Sequence, residues 1–327
     1  MRLISTNHFP LASDSRLSFV AILIIFGGIG IALGQDHLSH SSSAGLVHVN
    51  GTDLYYSTVG EGSPIVIVHG GPGLDHTYLL PQMAALAKTH RLIFYDQRAS
   101  GRSASAADTN LMTVDNFVED LEGIRKTFNI QRMDLLGHSW GGLVSLFYAI
   151  KHPEHLHTLV LVNSTPASSA MRDASFGMMA QRTSRNDSIA QSELVRTEGF
   201  KNRNPGTMAK FFRLLFRASF HDSRFGDSLT LTFDTSYATK SRTIQYLNRD
   251  PILATYDLFP RLNVIHCPTM IVTGDYDMVS PEANVRLHQS IPGSTFIVLH
   301  NCGHFPFIEA PAEFFPLVEA FLRSTGE

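Results

Sequence analysis

Cysteine is scarce in this chain, which carries only Cys267 and Cys302 in 327 residues. Two thiols exclude a fold held by a network of disulfides. An excess of charge of one sign is also lacking. The formal net charge is −3, so nothing global points to a nucleic-acid partner. The sequence has no internal repeat. The balance of charge is nevertheless uneven. Residues 164–262 carry a net charge of +5 and the remainder −8, as expected of an inserted basic lid docked on an acidic body. Charge is wholly absent from "LSFVAILIIFGGIGIAL" (residues 17–33), which follows Arg2 and Arg16 and ends near the small residues Ala32 and Gly34. This pattern reads as a secretory signal over residues 1–34. As a helix the run would span about 26 Å at about 1.5 Å per residue, so an uncleaved membrane anchor is the alternative. Either reading places the rest of the chain outside the cytoplasm, secreted, periplasmic or anchored.

The body reads as alternating strands and helices. "GLVHVNGTDLYYSTVG" alternates around Asn50-Gly51 and predicts a β-hairpin. "PIVIVHG", "RLIFYD", "RMDLLGH", "TLVLVN", "TMIVTGD" and "TFIVLH" are short apolar runs suited to buried strands. Helical spacing occupies 113–130, 139–152, 281–291 and 311–323, with Thr113 or Asp115 as candidate caps for the first. This alternation implies a mostly parallel sheet covered on both faces. Cys267 would precede one strand and Cys302 would follow its parallel neighbour. The two thiols would then lie at opposite ends of the sheet, too far apart to pair. Residues 164–262 break the alternation with short helical patterns. They predict a helical cap between core segments 35–163 and 263–327, lying over the carboxyl ends of the strands.

One hydroxyl is bracketed by glycine in Gly137-His138-Ser139-Trp140-Gly141, between a strand and a helix. That placement matches the G-x-S-x-G nucleophile elbow. Small residues two positions either side let neighbouring backbones pass a sharp turn. The hydroxyl is then presented at a helix start, where amides point at a developing oxyanion. A serine hydroxyl is inert near neutral pH without a base. Chain order in such a site is Ser, acid, His. "GDYDMVSP" offers Asp275 and Asp277, and "HNCGHFPF" offers His300 and His304. Asp277 and His304 lie deeper in their loops and are the expected partners of Ser139. The oxyanion donors are expected from Trp140 N–H and from Gly71 in "HGGPG" (69–73).

"HGGPG", "YDQRASGRS", "GHSWGG", "GDYDMVSP" and "NCGH" together resemble the prolyl iminopeptidase branch of the α/β-hydrolase superfamily, serine peptidases of the S33 type. The resemblance runs over residues 45–327. It implies an eight-stranded, mostly parallel sheet with an inserted helical cap. It implies Ser139, Asp277 and His304 as a triad, Gly71 and Trp140 as oxyanion donors, and no metal or organic cofactor. It also implies release of an N-terminal residue, often proline, from a small peptide. Ala99 stands where the family commonly has glycine after Asp-Gln-Arg. Iminopeptidases hold the substrate amine with cap glutamates, and the only glutamates in this cap are Glu193 and Glu198. Asp96 and Arg98 are expected to brace their loop. A carboxylic ester or lactone hydrolase would use the same apparatus, and a non-catalytic binding protein is the remote alternative.

Overall fold

The computed structural model describes residues 42–106 and 108–325. The expected signal or anchor over residues 1–34 lies outside the described residues. No described helix is long and apolar enough to cross a membrane.

Eight strands form one sheet. They are β1 (Ser42–Val49), β2 (Thr52–Val59), β3 (Ser63–Val68), β4 (His90–Tyr95), β5 (Met133–His138), β6 (Leu156–Val162), β7 (Thr269–Gly274) and β8 (Thr295–Leu299). Their order is β1-β2-β4-β3-β5-β6-β7-β8. β1 and β2 are an antiparallel hairpin, and β2 runs antiparallel to β4. Every pairing from β4 to β8 is parallel. The hairpin turns at Asn50 and Gly51, whose φ values of 44° and 71° are both positive. A two-residue turn matching strand twist requires that conformation, and Asn-Gly adopts it readily.

Alternation along β3 divides the core. Val66 and Val68 join one apolar cluster and Ile65 and Ile67 the other, because successive side chains leave a strand on opposite faces. Among the helices are α1 (Leu80–Met83), α2 (Val114–Thr127) and α3 (Trp140–Lys151). Thr113 caps α2, its side chain accepting from Asn116 N–H. α2 and α3 cover the first face with Phe117, Leu121, Leu143 and Leu146. The second face is covered by Met83 of α1 and by Phe314, Val318 and Leu322 of the C-terminal helix described below.

Between β6 and β7 the chain forms α4 (Ser169–Arg182), α5 (Arg185–Val195), α6 (Glu198–Lys201), α7 (Pro205–Phe216), α8 (Tyr237–Ile244) and α9 (Pro251–Thr255). This is a helical insertion. After β7 come α10 (Pro281–Ser290), then β8, α11 (Pro306–Glu309) and α12 (Pro311–Ser324). Cys267 and Cys302 are buried and free, at opposite ends of β7 and β8 as expected. Burial raises the pKa of both thiols.

Candidate active site

Parallel pairing brings the carboxyl ends of β3, β5, β7 and β8 to one edge of the sheet. At the end of β5, Ser139 adopts φ 55° and ψ −120°. Such a conformation costs a non-glycine residue on the order of 1–3 kcal/mol, so the surroundings must hold it. They do so by close approach. A Cβ on Gly137 would come within 2.5 Å of Ser145 Oγ, and one on Gly141 within 2.2 Å of the Val68 carbonyl. Glycine at both positions therefore lets α3 press against β3 and β5.

Three side chains far apart in sequence meet there. Ser139 Oγ donates to His304 Nε2 at 2.9 Å. His304 Nδ1–H donates to Asp277 Oδ1 at 2.7 Å. Both partners are buried, with side chains 2% and 0% exposed. Asp277 Oδ1 also accepts from Met278 N–H at 2.7 Å. The other two candidates form a separate pair. His300 Nδ1 lies 3.2 Å from Asp275 Oδ2, with the histidine 83% exposed. Asp275 also accepts from Cys302 N–H, so it braces the loop after β8.

Gly71 lies at φ 57° beside Ser139, and both line one cavity with Trp140. Among the described residues Gly71 N–H donates to no protein acceptor. Trp140 N–H is the first amide of α3, where no intrahelical acceptor exists. Gly70 N–H is engaged by Tyr78 Oη at 2.6 Å, which leaves Gly71 as the free donor of that loop.

The other motif residues hold this edge together. His69 Nδ1–H donates to the Gly70 carbonyl, and its Nε2 accepts from Gln97 N–H at 3.1 Å. Burial lowers the His69 pKa and favours this neutral form. Gln97 in turn donates to the His69 carbonyl and accepts from the Trp140 indole N–H at 2.8 Å. Arg98 is fully buried and forked onto both oxygens of Asp120. Asp96 accepts from the His76 ring at 2.6 Å and from Arg102 N–H at 2.8 Å. Ala99 sits at φ 56°, taking the left-handed conformation that glycine commonly supplies there. Asn163, at the end of β6, donates to the Gly303 carbonyl at 3.1 Å.

The insertion also grips the site. Arg182 Nη1 donates to the carbonyls of Tyr276 and Asp277, and the Ser219 carbonyl accepts from His304 N–H at 2.7 Å. No spacing rule in the sequence marks Arg182 or Ser219, because each makes a contact between a lid and a loop. A cavity of about 510 Å³ opens beside Ser139, walled mainly by apolar groups such as Phe176, Met179, Phe212, Phe216, Leu253 and Phe305. Its wall includes one carboxylate, Asp173, which is 66% exposed and 2.8 Å from Arg172 Nη2. The structure corrects the expectation for Glu193 and Glu198. Both are exposed and neither lines the cavity, because α5 and α6 form an outer layer of the insertion with no buried residue. Glu198 instead pairs with Lys201 at 2.7 Å.

Residues 63–311 match the family described as alpha/beta hydrolase fold. The chain belongs to that family. Among its relatives, a proline iminopeptidase of Lactobacillus helveticus is 28% identical over 296 residues, covering 85% of this chain and 96% of the relative. Among solved structures, the proline iminopeptidase of Mycobacterium smegmatis superposes with TM-score 0.63 at 22% identity, covering 86% of this chain and 98% of the other. An esterase from Exiguobacterium antarcticum reaches TM-score 0.64 at 21% identity, covering 86% and 100%. The two superpositions establish a shared fold.

Proposed function

We propose that this α/β hydrolase is a serine hydrolase that cleaves uncharged carboxylic esters through an acyl-enzyme on Ser139. The observation that supports it is the hydrogen-bonded line Ser139–His304–Asp277 opening on a mainly apolar cavity. His304 Nε2 takes the Oγ proton as Oγ attacks the ester carbonyl carbon. The carbonyl oxygen becomes an oxyanion and accepts from Gly71 and Trp140 N–H. Collapse of this intermediate breaks the bond to the alkoxy oxygen, which leaves with the proton from His304. Water then repeats the sequence and releases the acid. Asp277 holds the histidine in the tautomer that leaves Nε2 free to accept, and stabilises the imidazolium.

The cavity wall supports an uncharged substrate. A buried ammonium group needs a carboxylate to offset its lost hydration. Asp173 is largely exposed and already paired with Arg172, so a free α-amine gains little there. Release of an N-terminal proline is the second reading, favoured by the proline iminopeptidase at 28% identity. Steady-state turnover of p-nitrophenyl butyrate and of proline p-nitroanilide separates the two. The ester is expected to be cleaved with at least ~100-fold higher kcat/KM. Equal or faster cleavage of the anilide would establish the second reading.

A further inference from the structure

Next to the triad lies a buried line of groups that the chemistry does not consume. His138 Nε2 is 2.9 Å from the main-chain carbonyl of His304. A carbonyl only accepts, so Nε2 carries the proton. Burial drives the His138 pKa well below its usual value, with the neighbouring His304 acting in the same direction. The ring is therefore neutral and Nδ1 is an acceptor. Tyr78 Oη lies 2.7 Å from that Nδ1 and donates to it. The same phenol oxygen accepts Gly70 N–H at 2.6 Å. Every proton on this line is assigned. It runs from Gly70 through Tyr78 and His138 to the backbone of His304. Tyr78 is 2% exposed and His138 1%.

We propose that Tyr78 and His138 are positioning residues that set the oxyanion loop and the His304 loop in register with Ser139. Two facts besides the hydrogen bonds support this. A Cβ on Gly70 would come within 2.8 Å of Ser139 Cβ and 2.9 Å of Tyr78 Oη, so this loop packs directly on the nucleophile. The rings of His138 and His304 have centroids 4.9 Å apart, and the shared carbonyl contact fixes where the His304 main chain starts its turn. Tyr78 and His138 also line the cavity beside Ser139, but neither supplies an oxyanion donor or the base, so release of either end acts by moving those groups relative to the reacting carbon.

The proposal rests on the hydrolase reading above, and wild-type turnover of p-nitrophenyl butyrate tests that reading separately. Three variants test the line itself. Tyr78→Phe removes the central hydroxyl. His138→Asn keeps an acceptor near Nδ1 and loses the donor to His304. His138→Gln keeps a donor near Nε2. Tyr78→Phe and His138→Asn are expected to lower kcat about 10- to 100-fold with KM changed less than about two-fold, because misplacement acts on the transition state. His138→Gln is expected to recover about ten-fold over His138→Asn. Rates are taken per folded molecule, with folded protein quantified by circular dichroism. The proposal is overturned if kcat per folded molecule stays within about two-fold of wild type in Tyr78→Phe and His138→Asn, or if His138→Gln is no better than His138→Asn.

Discussion

Asp275 and Asp277 stand two residues apart on one loop, and their substitution by asparagine should have very different consequences. In Asp277→Asn the side chain keeps its size, and an amide oxygen in the place of Oδ1 can still accept from both Met278 N–H and His304 Nδ1–H, each now at 2.7 Å. The NH₂ then replaces Oδ2, a buried atom with no hydrogen-bond partner, and the negative charge is gone. The imidazolium that forms when His304 takes the Ser139 proton is then no longer offset by a carboxylate, and the base is weakened. Loss of a triad carboxylate costs on the order of 10⁴ in kcat, or about 5.5 kcal/mol of barrier. Asp275 pairs with a histidine that is 83% exposed, a contact worth about 0–1 kcal/mol. Asp275→Asn should therefore leave kcat within about three-fold of wild type. Initial rates on p-nitrophenyl butyrate, with unfolding temperatures measured alongside, decide the matter. A large loss in Asp275→Asn with little loss in Asp277→Asn would refute this reasoning.

Gly71→Ala should lower kcat by about 100-fold, since φ is 57° and the new Cβ would come 2.6 Å from Leu74 Cδ1, displacing the donor amide. Single-turnover rates on the same ester check this. Trp140→Phe removes the indole donor to Gln97 Oε1 and leaves a buried oxygen unpaired. Denaturant melts should show a loss of about 1–3 kcal/mol while the backbone donor, and most of kcat, survive. Away from the site, burial alone would raise the Glu122 pKa. Hydrogen bonds from Arg125 and Tyr148 outweigh it and hold the carboxyl at about 2, against an ordinary 4.5. Its folded pKa is depressed, so the stabilisation is present above 4.5 and is lost as pH falls towards 2. Glu122→Gln should cost about 2 kcal/mol at neutral pH, a gap that narrows across that acidic range in melts of both proteins.

Much of the sheet was legible because its signals are local. Asn50-Gly51 demands a hairpin turn, and six short apolar runs demand a sheet covered on both faces. Gly137, Ser139 and Gly141 announce a sharp turn because only small residues tolerate the approach of Val68 and Ser145. His304 and Asp277 were legible only through chain order and loop depth. Positions on the insertion were not. Whether Glu193 and Glu198 face a cavity depends on how six short helices pack over the sheet, and α5 carries no strong apolar stripe to orient it. Tyr78 was equally silent. A single tyrosine in a short 3₁₀ turn looks like any other core aromatic until the fold brings it to His138.

The most direct measurement is intact-protein and peptide mass spectrometry after reaction with a fluorophosphonate. Wild type should gain one covalent adduct, located on Ser139, with loss of ester turnover in proportion to labelling. Ser139→Ala should gain none, and His304→Ala should label at a small fraction of the wild-type rate. Ester turnover that persists in folded Ser139→Ala, or an inactivating adduct on another residue, would contradict a nucleophile at position 139.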